Sequence, residues 1–172
     1  MTNSSLGEIT GPASIRFVRR LPGPIERVWS YLADSQLRGQ WLAPGPLGDG
    51  KLDLTFRHAD LSPHQEAPPA GFSGGSHLLS CKVLEMAPPH RLVFTWGEDV
   101  DSVVTFELTL HEGDVLLTVS QTGLKRGDML SVATGWHTHL AMLVARAEGR
   151  TPPAFWTIWK TLDGVYGPMV EA

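Results

Sequence analysis

Two histidines one residue apart, His137 and His139, are the most prominent candidates for chemistry in this sequence. They lie in the stretch TGWHTHLAML, which covers positions 134–143. If this stretch is helical, each residue turns about 100°, so the two imidazoles point to nearly opposite sides of the helix. A helical metal pair instead needs a spacing of three or four residues. We therefore predict no shared metal. We expect histidines that are hydrogen-bonded or exposed, with one polar contact inside a cavity as the alternative.

A second group of metal-ligand side chains lies in and beside the segment ADLSPHQEAPPAG, at positions 59–71. Its members are His58, Asp60, His64 and Glu66. Proline and small polar residues interrupt any regular ladder here, so the segment reads as a loop. A connector of this kind offers no fixed ligand geometry, and we interpret the group as part of a solvated loop.

The remaining reactive groups do not form a known catalytic pattern. Cys81 is the only cysteine, which excludes an intramolecular disulfide and a cysteine-rich zinc site. It alternates with Leu79 and Val83 in a strand-like run, where a buried structural thiol is expected rather than a nucleophile. The sequence has no Gly-x-Ser-x-Gly, P-loop or dinucleotide-binding fingerprint. We predict no catalytic residue, no metal and no cofactor.

Composition limits the partners that we expect. The net charge of −4 provides no broad basic field for nucleic acid. The start of the chain lacks a signal-peptide pattern, and no apolar run approaches roughly 18 residues, so we expect a cytoplasmic protein without membrane insertion. The length of 172 residues favours a single domain over residues 1–172.

Hydrophobic periodicity predicts an α+β fold. After a flexible beginning we expect a strand over 14–21, a helix over 24–33 and a second helix, capped by Asp34 or Ser35, that reaches Trp41. Short turns between strands indicate an antiparallel meander, followed by a long helix with an apolar stripe. The predicted strands cover 51–58, 76–86, 91–97, 101–111 and 114–122, and the helix runs from Asp128 to about Glu148.

The C-terminal third contains a glycine within the long helix and a further apolar helix after it. Gly135 in the middle of the long helix costs about 1 kcal/mol relative to alanine, which close approach of sheet backbone, a ligand or tight packing would offset. A further helix is expected with Thr151 as its cap and Pro152 at its first position. Its apolar side chains either pack back on the same chain or join two chains into a homodimer.

Three separated segments of the sequence resemble a known family: RFVRRLPGPIERVWSYLADSQLRGQWL, KVLEMAPPHRLVFTW and GWHTHLAMLV. Together they are similar to the SRPBCC (START-like) superfamily, in particular to the C-terminal domain of activators of the ninety-kilodalton heat-shock-protein (Hsp90) ATPase. The resemblance covers about residues 14–149. The N-terminal domain of those co-chaperones has no counterpart here, and the helical extension at about 151–170 lies beyond the shared core.

This resemblance implies a helix-grip fold, in which a curved antiparallel sheet wraps around the long C-terminal helix. It also implies an elongated apolar cavity between sheet and helix, the alternative being a solid core. The expected function is non-catalytic binding of an apolar or aromatic small molecule. The alternatives are a chaperone-accessory interaction module and a cyclase- or dehydratase-like enzyme that moves a proton with a cavity histidine or aspartate. The residues expected to contact the ligand are Trp41, Phe56, Trp96, Phe106, Gly135, Trp136, His139, Leu140 and Leu143.

Overall fold

An eight-stranded antiparallel sheet forms the frame of the protein. The structure, a computed structural model, describes residues 3–64, 66–72 and 75–171, so Gln65 of the predicted loop lies outside the described residues. The spatial order of the strands is β1-β2-β8-β7-β6-β5-β4-β3, which places the first hairpin beside the last strand. The strands are β1 Glu8–Gly11, β2 Ser14–Pro22, β3 Leu47–Gly48, β4 Lys51–Phe56, β5 His77–Ala87, β6 Arg91–Trp96, β7 Asp99–His111 and β8 Asp114–Thr122.

Strict alternation along the strands explains which face of the sheet is buried. In β2 the side chains of Ile15, Phe17, Arg19 and Leu21 are almost completely buried, whereas the intervening residues are exposed or half-buried. The same period of two continues in β8, which pairs with β2. The sheet therefore has one apolar face, and the long helix packs on it.

Among the described residues, four α-helices complete the fold. They are α1 Ile25–Ala33, α2 Ser35–Arg38, α3 Met129–Ala147 and α4 Phe155–Glu171. The inner side of α3 packs against the sheet, and α4 packs on α3. The predicted α+β helix-grip fold is confirmed, including the two short helices after the strand over 14–22. No helix among the described residues is long and apolar enough to span a membrane.

The C-terminal segment forms helix α4, which packs back on its own chain. Phe155, Trp156, Leu162 and Tyr166 are buried in this packing, so the segment docks intramolecularly. The helix begins at Phe155 rather than near Thr151. The predicted cap at Thr151 is wrong, because the chain from 151 to 154 is not helical.

Three further features differ from expectation. The second helix, predicted to reach Trp41, ends at Arg38. The chain start that we expected to be flexible contains β1, which pairs with β2. Just before this strand, the backbone N–H of Gly7 donates a hydrogen bond of 2.7 Å to the hydroxyl of Tyr166 in α4. The strand predicted to reach residue 58 ends at Phe56, and His58–Asp60 form a 3-10 turn.

Buried Arg38 holds the connection between α2 and β3. The side chain is completely buried. Its guanidinium donates to the carbonyls of Leu32, Ala33 and Ala43 at 3.0, 3.2 and 3.1 Å, and also to the carbonyl of Gly45. Burial lowers the pKa of Arg38 to about 10, which leaves it charged at neutral pH. One side chain thus satisfies two carbonyls at the end of α1 and two in the irregular segment between α2 and β3.

We predict that Arg38→Met lowers the free energy of unfolding by about 3 kcal/mol, because four carbonyls lose their donor. The matched control is Arg16→Met. Arg16 pairs with Glu8 on the exposed edge of the sheet, where such a pair contributes at most about 1 kcal/mol. Urea denaturation measures both variants, and equal losses would contradict the role assigned to Arg38.

Candidate ligand-binding site

A pocket of about 250 Å³ opens between the β4–β6 edge of the sheet and helices α3 and α4. Its walls come from strands β4 to β6, from helices α3 and α4, and from the connecting segments that carry Leu42, His58 and Phe72. Most of the lining side chains are aromatic or aliphatic. The lining residues are Leu42, Phe56, His58, Phe72, His77, Leu79, Trp96, Ser131, Val132, Gly135, Trp136, His139, Phe155, Trp156 and Trp159.

Aromatic rings in edge-on and tilted contact build the walls. On the sheet side, the ring centroid of Trp96 lies 6.0 Å from Phe56 and 5.6 Å from Trp136. On the α4 side, Phe72 lies 5.0 Å from Trp156 and 5.2 Å from Trp159. Such aromatic pairs stabilise the packing by more than the burial of their surface area alone. The contacts between rings therefore stabilise the walls, while space remains between them.

Five of the nine predicted contact residues line this pocket: Phe56, Trp96, Gly135, Trp136 and His139. The other four, Trp41, Phe106, Leu140 and Leu143, are completely buried in the packed core. Trp41 and Phe106 contact each other at 6.0 Å between ring centroids. The structure thus fills the space deep between sheet and helix and opens it nearer the surface. A ligand contact by any of the nine remains a prediction.

Gly135 borders open space. Apart from its two chain neighbours and the adjacent backbone of its own helix, a Cβ atom at this position would meet no heavy atom of the described residues within 4 Å. Close approach of sheet backbone and tight packing were two of the reasons expected for this glycine, and both are wrong. Access for a ligand is the remaining reason and stays a prediction. The missing side chain keeps this part of the pocket empty.

His139 presents one polar edge to the pocket. Its Nδ1 lies 2.8 Å from the carbonyl oxygen of Trp41. A carbonyl only accepts, so the neutral ring carries its proton on Nδ1 and leaves Nε2 as an acceptor. Burial, followed by the proximity of His58, lowers the pKa of His139 to about 3. The ring is therefore neutral at pH 7.

His58 lies beside His139 in the lining of the pocket. Their ring centroids are 5.6 Å apart, and His58 also contacts Phe155 at 5.2 Å and Trp156 at 5.1 Å. Burial lowers its pKa, with a smaller contribution from His77. The interpretation of His58 as part of a solvated loop is wrong, because the aromatic residues of α4 cover it.

Glu66 was also expected to be solvated, but it caps helix α4. Its carboxylate accepts a hydrogen bond of 3.0 Å from the backbone N–H of Trp156 and a second one from the hydroxyl of Thr157. A carboxylate at a helix N-terminus satisfies free N–H groups and favours the helix dipole. This contact ties the 59–71 segment to the α4 side of the pocket. Asp60 and His64 are exposed, as predicted.

His137 lies on the other side of α3, as the helical spacing predicted. Its Nδ1 is 2.7 Å from the hydroxyl oxygen of Tyr166. Burial, followed by the charge of buried Arg19, lowers its pKa to about 4. The two histidines therefore belong to separate environments. Within the described residues, no group of three or more histidine, cysteine or acidic side chains could hold a metal ion.

Cys81 is buried, in agreement with the sequence prediction. Burial raises the pKa of its thiol, which disfavours the reactive thiolate.

Sequence reasoning missed the contribution of α4 to the site. Phe155, Trp156 and Trp159 line the pocket together with Phe72. The dense apolar segment FWTIW predicted that this helix packs on something. The surface on which this helix packs depends on the direction in which the chain turns after α3. No local sequence pattern predicts that direction.

Comparison with known proteins identifies relatives of this chain. A family model described as activator of Hsp90 ATPase homolog 1-like protein matches residues 22–148. The solution structure of the protein encoded by gene BPP1335 from Bordetella parapertussis is 38% identical, covers 97% of this chain and 94% of that chain, and gives a TM-score of 0.79. No curated protein matches the chain.

More distant structures share the fold alone. CalU16 from Micromonospora echinospora is 21% identical, with 92% of this chain and 89% of that chain covered and a TM-score of 0.65. The Aha1 dimer from Colwellia psychrerythraea is 16% identical, with 78% and 96% covered and a TM-score of 0.57.

The two buried histidines predict a loss of stability in mild acid. In the unfolded chain both take up protons near their ordinary pKa of about 6.5, whereas the folded protein keeps them neutral until about pH 4 and 3. The contribution of these two histidines to the free energy of unfolding is therefore fully present above pH 6.5 and is lost as the pH falls. Between pH 7 and pH 5, each histidine should lower the free energy of unfolding by about 2 kcal/mol.

Urea denaturation at both pH values tests this linkage. His139→Asn should lose about 2 kcal/mol less than the wild-type protein between pH 7 and pH 5. His64→Asn replaces an exposed histidine and should lose as much as the wild type. An acid loss in His139→Asn equal to that of the wild type would show that His139 does not resist protonation.

Proposed function

We propose that this chain, which belongs to the family of activator of Hsp90 ATPase homolog 1-like proteins, binds a small apolar or aromatic molecule in the pocket beside Gly135. The supporting observation is open space against the middle of a buried helix. A glycine there costs about 1 kcal/mol of helix stability relative to alanine. Ligand sites are typically concave, mostly apolar and supplied with a few polar groups.

The protonation behaviour of the pocket favours binding over acid–base chemistry. A general acid or base works best when its pKa lies near the operating pH. The lowered pKa of His139, about 3, gives a ring that holds no transferable proton at neutral pH and is a weak base. The same ring remains a good hydrogen-bond acceptor, which is the property that a binding site uses.

The size of the pocket supports a small ligand. A closed apolar cavity of roughly 150 Å³ accommodates benzene, so about 250 Å³ suits one or two fused rings. Seven aromatic residues surround this volume: Phe56, Phe72, Trp96, Trp136, Phe155, Trp156 and Trp159. Flat rings can make edge-to-face contacts with such walls.

Filling the pocket tests the proposal directly. Naphthalene derivatives at about 100 times their Kd should raise the Tm of the wild-type protein by about 5–10 °C. Gly135→Leu adds a side chain into open space, so the variant should fold while losing this increase. The thermal shift is measured together with native mass spectrometry, which detects the added mass of the ligand.

Gly164→Leu is the matched control. Gly164 also lies within a helix and borders open space, but on the exposed side of α4. This variant should bind as the wild type does. Unchanged binding in Gly135→Leu would place the ligand elsewhere, and no binding of any naphthalene derivative to the wild type would refute the proposal.

A further inference from the structure

The polar edge of His139 is the feature of the pocket that distinguishes one aromatic ligand from another. The hydrogen bond from Nδ1 to the carbonyl of Trp41 fixes both the tautomer and the orientation of the ring. Among the described residues no donor forms a hydrogen bond with Nε2. The side chain is 7% exposed and lines the pocket, so the pocket is where a donor can reach this nitrogen.

The two phenylalanine neighbours of the ring supply no competing donor. Phe155 lies 5.2 Å and Phe56 5.9 Å from the imidazole centroid, and both present only carbon. A ligand that displaces water from this site without offering a donor leaves Nε2 unpaired in an apolar environment. Such an unsatisfied acceptor carries a free-energy cost. The site therefore penalises ligands that are purely hydrocarbon at this point.

His58 supplies a second hydrogen-bonding group beside that of His139. Its ring is 5.6 Å from that of His139, and its side chain forms no hydrogen bond with the described residues. A neutral imidazole has one N–H donor and one acceptor nitrogen. A hydroxyl group between the two rings can donate to Nε2 of His139 and accept from His58. An ether or ketone oxygen can only accept, and a carboxylate has no proton to donate.

We propose that the pocket selects aromatic ligands that carry a hydroxyl group, of the phenol or naphthol class, whose O–H donates to Nε2 of His139. This inference rests on the proposed function, because it assigns the ligand chemistry of the same pocket. The aromatic ring lies among the side chains of α4 and the sheet, and the hydroxyl points toward α3. Selectivity comes from one acceptor whose tautomer is fixed by the backbone.

Isothermal titration calorimetry with three probes tests the selection. The probes are naphthalene, 2-naphthol and 2-methoxynaphthalene, of which only 2-naphthol can donate a hydrogen bond. Wild-type protein at pH 7.5 should bind 2-naphthol about tenfold more tightly than 2-methoxynaphthalene. Equal affinities would overturn the inference while leaving the proposed function intact. If none of the three probes binds, the proposed function itself fails.

The variant His139→Asn isolates the acceptor. Its amide N–H₂ can replace the Nδ1 donor to Trp41, but the shorter side chain has no atom at the position of Nε2. The tenfold preference should fall to about one. His111→Asn, an exposed histidine in β7, is the control and should keep the preference. A preference that survives in His139→Asn would also overturn the inference.

A measurement on the wild-type protein makes the test independent of the folding of any variant. Nitrogen-15 NMR of the histidine rings distinguishes a bare Nε2 from one that accepts a hydrogen bond. The Nε2 resonance of His139 should move upfield when 2-naphthol is added and stay in place with 2-methoxynaphthalene. The same resonance position with both bound probes would contradict a donated hydrogen bond.

Discussion

The burial of helix α3 between the sheet and α4 is the constraint on which the rest of the structure depends. Its inner side contacts the apolar face of the sheet, and its outer side contacts α4. A helix buried on both sides must find partners within the protein for most of its polar side chains, and in α3 the hydroxyl of Thr134 has none among the described residues. His137 and His139 meet this demand in different ways, one with the hydroxyl of Tyr166 and the other with the carbonyl of Trp41.

The carbonyl of Trp41 can serve His139 because the segment that carries it is held in place. Arg38 binds carbonyls on both sides of Trp41, and the indole N–H of Trp41 donates 2.8 Å to the carbonyl of Tyr31 at the end of α1. The orientation of a pocket histidine thus depends on a buried arginine in another element. This connection explains why a charge is retained in the interior, since an apolar side chain of similar size could pack there but could not orient four carbonyls.

Local sequence patterns predicted the elements well and their distant contacts poorly. The period of two in β2 and the apolar stripe of α3 come from residues that are neighbours in sequence, so they predicted the α+β order of the elements and both ends of the helix at 129–147 to within one residue. The helix-grip arrangement of these elements was implied by the resemblance to a known family. Glu66 caps a helix that begins about 90 residues later, and Gly7 donates to Tyr166 across 159 positions. No window of the sequence contains both partners. The same limit explains why His58 and Glu66 read as solvated and the chain start as flexible.

The position of the pocket follows from how the interior is filled. The large side chains of Trp41, Phe94 and Phe106 close the deep space between the sheet and α3, because every completely buried ring occupies volume that a ligand would need. Farther along α3, Gly135 removes one side chain where the aromatic residues of α4 arch over the helix. A large side chain at position 135 would extend into this space, which is open around the position of a Cβ atom. A fold shared by distant relatives can therefore hold a pocket in one member and a filled interior in another through a few side chains on a single helix. The properties of the pocket therefore depend on Gly135, His58 and His139 rather than on the fold.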